Sequence, residues 1–319
     1  MKTKVVYVVI SSNSDIYLEQ LWVSLYSLRF FNKNSIVEVL TDKETSDRIE
    51  SDKYRDLNSL VNKLNVISFP SNVSNKERSR FLKTAMREYI KGNFLFLDTD
   101  TIITSDLSEV DSFSCNIGMV YDWHCHLKNR PNKAGLISVI SKLFDVSLKA
   151  DTEYFNSGVI FCKDNEMSHL FFQKWHEKWL IAKDKPKGMQ DQQSLIVTLN
   201  EMGGVNPLSG DFNCQPIVSM RYLATAKIMH FFNTKWDDYI RSPFYSADFY
   251  RDIQNEGNIS DEKKHLILTC RSCFISPTMT ICEEDIVIWR SPAFRYLKKL
   301  YKRHRILYRV INKVSNALG

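Results

Sequence analysis

In Asn93-Phe94-Leu95-Phe96-Leu97-Asp98-Thr99-Asp100-Thr101-Ile102-Ile103, four consecutive apolar residues run into two carboxylates one residue apart, and apolar residues then resume. A short continuous apolar run of this kind reads as a strand buried on both faces, as in a parallel sheet. Asp98 and Asp100 then stand at its carboxyl end, where open α/β sheets bind ligands. Two carboxylates this close repel each other unless a cation lies beside them. A divalent ion held through oxygen, Mg2+ or Mn2+, is the usual answer and typically brings a phosphate with it. The same residues also fit a plain strand end with two solvated Asp in a turn, so the rest of the chain has to discriminate.

Working outward, three strand–helix units precede this stretch. Residues 5–10, 36–40 and 64–69 are rich in Val, Ile and Leu and read as strands. Residues 16–31, 45–61 and 75–91 read as helices; Leu18, Leu21, Trp22, Leu25 and Leu28 mark the buried face of the first, and Phe81, Leu82, Ala85, Met86, Tyr89 and Ile90 that of the third. This β-α-β-α-β-α-β order predicts an α/β fold with a mostly parallel sheet covered by helices. The first βα turn contains no glycine, and neither Gly-x-Gly-x-x-Gly nor the P-loop pattern occurs, which argues against NAD, FAD and P-loop ATP chemistry.

Composition fits a globular chain able to bury a sizeable core: 319 residues, 44% apolar and 25% charged, with only 10 Gly and 8 Pro. The N-terminal apolar run is too short for a signal peptide, and nothing reaches the roughly 18 apolar residues of a membrane span, so a cytoplasmic location is expected. Seven scattered cysteines fit reduced thiols; Cys270-Arg-Ser-Cys273, without a second pair, is a weak zinc pattern. From Arg290 onward the chain has nine Lys/Arg and no Asp or Glu, more than the whole net charge of +6. A basic helix over residues 286–318, with Pro292 in a first turn and apolar residues at helical spacing, predicts either an anionic membrane surface as partner or a helix packed on the catalytic domain. The expected division is a catalytic domain over 1–245 and a C-terminal extension over 246–319. No nucleic-acid-binding domain is evident.

Beyond the paired carboxylates the chain offers Phe155-Asn156-Ser157-Gly158-Val159-Ile160 before an apolar strand. Asp191-Gln192-Gln193 then opens a helix, and Ile228-Met229-His230 ends a short strand shortly before Lys235-Trp236. In this order, together with Ser24-Leu25-Tyr26-Ser27-Leu28 and Leu40-Thr41-Asp42, the motifs resemble the family 8 glycosyltransferases of the GT-A fold, over roughly residues 4–240. The resemblance implies a retaining hexosyltransferase of bacterial polysaccharide or lipopolysaccharide type. It would use a nucleotide-sugar donor, with a UDP-sugar favoured, and a glycan or lipid-linked glycan acceptor. It implies Asp98, Asp100 and His230 as ligands of Mn2+ or Mg2+, and Arg80, Lys83, Asp98, Thr99 and Lys235 as contacts to the donor. Asn156, Asp191 and Gln192 would bind the sugar and stabilise its oxocarbenium-like state. The chain departs from the family after the histidine: Asn233 replaces a glycine, Lys235 comes one residue early, and no proline precedes Trp236. The rival reading is a haloacid-dehalogenase-type Mg2+ phosphatase using Asp98 and Asp100, whose first motif is also an apolar strand before Asp-x-Asp-x-Thr. That motif normally lies in the first strand of its domain.

Overall fold

A computed structural model describes residues 1–130, 132–149, 151–232, 242–274 and 283–318. They fall into two compact units, Met1–Cys273 and Phe274–Gly319. In the first, β1 (Lys4–Val8), α1 (Tyr17–Phe31), β2 (Val37–Asp42), α2 (Lys43–Ile49), α3 (Arg55–Ser59), β3 (Lys63–Ile67), α4 (Asn75–Thr84), α5 (Met86–Tyr89) and β4 (Phe94–Leu97) follow in order. After these come β5 (Thr101–Ile103), β6 (Ile117–Tyr121), α6 (Lys133–Phe144), β7 (Phe155–Cys162), α7 (Glu166–Ala182) and α8 (Asp191–Met202). The unit closes with β8 (Val205–Pro207), β9 (Ile228–His230), α9 (Ala247–Glu256) and α10 (Asp261–Leu268).

The sheet order is β3-β2-β1-β4-β7-β6-β8, and β5 and β9 form a separate two-stranded sheet. The first four strands pair in parallel, as alternating strands and helices require. Among the described residues of the seven-stranded sheet only β7 runs against its neighbours, and β5 and β9 also pair antiparallel. The apolar run of β4 is covered on both sides: Phe94, Leu95, Phe96 and Leu97 are wholly buried. On one face the Phe94 ring meets Phe172 of α7 at 6.1 Å, and Phe172 meets Trp175 at 5.5 Å. The aromatics of α7 are therefore core packing.

Helix α1 fastens the strand behind the paired carboxylates. Ser24 Oγ lies 2.9 Å from the Tyr7 hydroxyl and 3.0 Å from Thr101 Oγ1, and Ser27 Oγ accepts from the Ile103 amide at 2.9 Å. Asp42 caps α2 by accepting the Thr45 amide at 2.9 Å, and its other oxygen pairs with Arg78 at 2.9 Å.

Three expected helices are interrupted. Over 45–61 the chain makes α2, a 3-10 turn and α3, because Ser51 Oγ takes the Arg48 carbonyl at 2.6 Å and ends the first piece. Over 75–91 it breaks at Ala85 (φ −99°, ψ 8°), where buried Arg87 turns its guanidinium onto the carbonyls of Ile90 and Gly92. The tail makes α11 (Glu283–Arg290), α12 (Pro292–Arg303) and α13 (Arg305–Leu318), with Ser291 Oγ capping α12 at 3.1 Å and Pro292 in its first turn.

The first compact unit also runs past the expected boundary at 245/246, to Cys273. The residues beyond that boundary share its core: Phe249 of α9 meets Phe244 at 5.1 Å, and Gln254 of α9 donates to the Asp15 carbonyl at 3.1 Å.

Candidate active site

The two short strands set the site. Pairing of β5 with β9 puts Thr101 opposite His230, and the Phe231 amide donates to the Asp100 carbonyl at 2.8 Å. This register brings the histidine beside carboxylates about 130 residues earlier in the chain. The ring has room because residue 158 is glycine: a Cβ there would stand 2.1 Å from His230 Cε1. The Asp98 amide donates to the Gly158 carbonyl at 2.8 Å, so β4, β7 and β9 meet at one point.

Asp98, Asp100 and His230 offer ligand atoms that all lie within 4.8 Å of one another, and among the described residues no other His, Cys, Asp or Glu group meets that condition. The Cys270 and Cys273 thiols are thus outside any such group. His230 Nε2 is 3.1 Å from Asp100 Oδ1 and 4.0 Å from Asp98 Oδ2. Ligands about 2.1 Å from a shared octahedral ion stand ~3 Å apart when adjacent and ~4.2 Å when opposed, so the spacing suits a shared divalent ion. Asp100 Oδ1 is buried without a hydrogen-bond donor, although the imidazole is beside it. Two carboxylates and an imidazole at this spacing fit a metal ion. Burial alone pushes His230 down, but Asp100 and Asp98 reverse this and hold its pKa above the usual histidine range; the imidazole in turn holds Asp100 low against its own burial.

Two clefts meet here. One, about 450 Å³, runs from Ser12, Asp15 and Tyr17 past Lys76 and Arg80 to Asp98, Thr99 and Asp100. The other, about 670 Å³, is lined by Trp123, Tyr154, Asn156, Asp191, Gln192 and His230, among others. Between them lies an ion cluster. Lys83, 3% exposed, reaches both Asp98 oxygens at 2.8 and 2.9 Å and Asp191 Oδ2 at 3.3 Å; Arg80 Nε lies 3.1 Å from Asp191 Oδ1. Ser157 Oγ donates to Asp191 at 2.8 Å. Burial would raise the Asp191 pKa, yet Lys83 and Arg80 outweigh it and hold the carboxyl well below the usual carboxylate range.

Most residues singled out in the sequence therefore converge: Arg80, Lys83, Asp98, Thr99, Asp100, Asn156, Asp191, Gln192 and His230 all line one of the clefts. Lys235 lies outside the described residues. Asn156 is less free than a sugar-binding amide need be. Its Nδ2 donates to Asp122 Oδ1 at 2.9 Å, and its Oδ1 accepts from the Gly158 amide and Asn213 Nδ2, each at 2.9 Å.

Sequence reading missed Asp122, Arg130 and Asn213. Asp122 had a signal, since it closes the apolar strand β6 as Asp98 closes β4. Arg130 pairs with Asp122 and is held between the rings of Trp123 at 4.4 Å and Tyr154 at 4.8 Å. Trp123 itself has φ 62°, a left-handed conformation that costs a bulky residue about 1–3 kcal/mol, held here by its amide bonding Gln215 Oε1 at 2.8 Å.

The fold is GT-A, the α/β architecture of nucleotide-sugar-dependent glycosyltransferases. The structure is similar to the galactosyltransferase LgtC, solved in complex with donor and acceptor sugar analogs, at TM-score 0.52 and 15% identity, covering 82% of this chain and 99% of that one. It is also similar to the bifunctional glycosyltransferase WbbM, at TM-score 0.52 and 18% identity, covering 85% of this chain and 51% of that one. This chain thus spans about half the length of WbbM. At such identities the likeness is one of fold. No family model and no curated protein matches the sequence. The phosphatase reading loses ground, since the strand before Asp98 is the fourth of the sheet in chain order and its solved neighbours are glycosyltransferases.

Proposed function

We propose that this protein is a metal-dependent glycosyltransferase of family 8 type, moving a sugar from a nucleoside diphosphate, with UDP the favoured nucleotide, to a glycan or lipid-linked glycan. The observation that carries this is the meeting of Asp98, Asp100 and His230 at the junction of two clefts. A divalent cation held by these three side chains, Mn2+ or Mg2+, supplies Lewis-acid neutralisation of the departing diphosphate. The cleft beside Lys76 and Arg80 suits the nucleotide and its phosphates. The cleft rich in carboxamides suits the sugar. Lys83 keeps Asp191 ionised, and Asp191, with Gln192 beside it, stabilises positive charge developing on the anomeric carbon from a fixed, desolvated position. Transfer with retention of configuration is the part of this proposal that the resemblance to family 8 supplies. We further propose that the basic α12 and α13, with Tyr296, Ile306, Val310 and Val314 exposed between their cations, attach the enzyme to the inner face of the plasma membrane.

The test is a screen of nucleotide sugars for slow hydrolysis in the absence of acceptor. The expected result is release of the nucleoside diphosphate from one donor with Mn2+ and none with EDTA. Cleavage of p-nitrophenyl phosphate with no turnover of any nucleotide sugar would favour the phosphatase instead.

A further inference from the structure

A chain of buried amides leads away from the candidate metal site. Arg130, Asp122, Asn156, Asn213 and His230 are each at most 6% exposed. Their hydrogen bonds run in one direction, and that direction follows from two groups that have no choice. Asp122 is a carboxylate whose other oxygen Arg130 holds in an ion pair, so it accepts from Asn156; the Asn156 group facing it at 2.9 Å is therefore the amide nitrogen. The Gly158 backbone N–H, which only donates, independently fixes Asn156 Oδ1 at 2.9 Å. Asn213 must then present Nδ2 to that oxygen, at 2.9 Å, and Oδ1 to the histidine. His230 Nδ1, 3.0 Å from Asn213 Oδ1, must donate. The neutral imidazole is left with a bare lone pair on Nε2, the atom that faces Asp98 and Asp100.

We propose that Asn213 is the positioning residue of the metal site: it fixes His230 as the Nδ1–H tautomer with Nε2 free to ligate, on an orientation set by Asp122 and transmitted through Asn156. The inference rests on the metal role of His230 proposed above. It gives Asn156 a task other than sugar binding, and it ties the wall of the sugar cleft, where Asp122 and Asn156 lie, to the metal ligand. Partners of this kind orient metal-bound histidines, and their loss typically weakens metal binding by about 10–100-fold.

The experiment uses the full chain and Mn2+ alone, with no nucleotide, followed by electron paramagnetic resonance. Asn213→Leu removes the acceptor and is expected to weaken Mn2+ binding by about tenfold or more. Asn213→Asp keeps an oxygen for Nδ1–H but sets its other oxygen against Asn156 Oδ1, so it is expected to bind Mn2+ more tightly than Asn213→Leu and less tightly than wild type. Circular dichroism and melting temperature report whether each variant is folded. Because Asn213 is wholly buried, a second readout uses the wild-type protein. A long-range 1H–15N spectrum of the metal-free chain near pH 9, with His230 assigned by its loss in His230→Gln, should show a proton on Nδ1. A neutral ring carrying its single proton on Nε2 overturns the assignment whatever the variants do. So does a folded Asn213→Leu variant that binds Mn2+ like wild type. If the wild-type chain takes up no Mn2+ at all, the metal reading falls, and this inference falls with it.

Discussion

At the scale of the residue, Asp191 shows how the site holds charge without water. It is 5% exposed, and a lone carboxylate so placed would be protonated; Lys83 and Arg80 keep it ionised. Its pKa is lower in the folded protein than the ~3.9 of an unfolded chain, so its stabilising effect is present above that value and is lost as pH falls through the folded one. Asp191→Asn should therefore lower stability by about 3 kcal/mol near pH 7, the order found on breaking a buried pair. The gap in melting temperature between wild type and variant should begin to narrow below about pH 4. A gap that stays constant from pH 7 to pH 3 would show that Asp191 is not the charged partner. Legibility differs sharply at this scale. Asp98, Asp100 and His230 could be found because each ends an apolar strand, and a polar residue in that place is conspicuous. Asn213 sits in Phe212-Asn213-Cys214-Gln215, a stretch without period, and its role exists only through contacts with residues far away in sequence.

At the scale of the element, strands were easier to read than helices. Long apolar runs such as Phe94–Leu97 have few other places to go. Helix continuity, by contrast, was decided by side chains turning back onto the backbone, Ser51 in one case and Arg87 in another. The antiparallel course of β7 was not legible, since Phe155–Cys162 is buried throughout and its pattern is the same in either direction. Its elbow matters more than its direction. Pairing with β6 jumps from Met119–Ile160 to Val120–Asn156, which leaves residues 157–159 out of that ladder and frees Ser157 and Gly158 to meet Asp191 and His230. Gly158→Ala should push the imidazole from its seat, costing about 1–3 kcal/mol of stability as overpacking does and weakening Mn2+ binding. A variant with unchanged melting temperature and Mn2+ affinity would show that the close approach is dispensable.

At the scale of the whole molecule, charge is segregated. The first unit carries almost all of the acidic residues, and the tail from Arg290 carries nine basic ones and no acid. Its two last helices have apolar side chains at the surface between those cations: Ile306 is 81% exposed and Tyr296 59%. Each cation near an anionic leaflet contributes about 1 kcal/mol, so a few engaged together suffice for attachment. The full-length protein should co-sediment with phosphatidylglycerol vesicles and not with phosphatidylcholine vesicles, and should be released at high salt. A variant with Lys298, Lys299, Lys302 and Arg303 all changed to Glu should stay in solution. Equal pelleting of both proteins would remove the membrane role.

The central claim is that Asp98, Asp100 and His230 hold a divalent ion against a nucleoside diphosphate. Calorimetric titration of UDP into wild type and His230→Ala, with Mn2+ and with EDTA, tests it most directly. The account predicts measurable UDP binding by wild type with Mn2+, weakened at least about tenfold (~1.4 kcal/mol) by EDTA or by the substitution, with the fold of the variant intact. Equal UDP affinity in EDTA, or in His230→Ala with Mn2+, would contradict it.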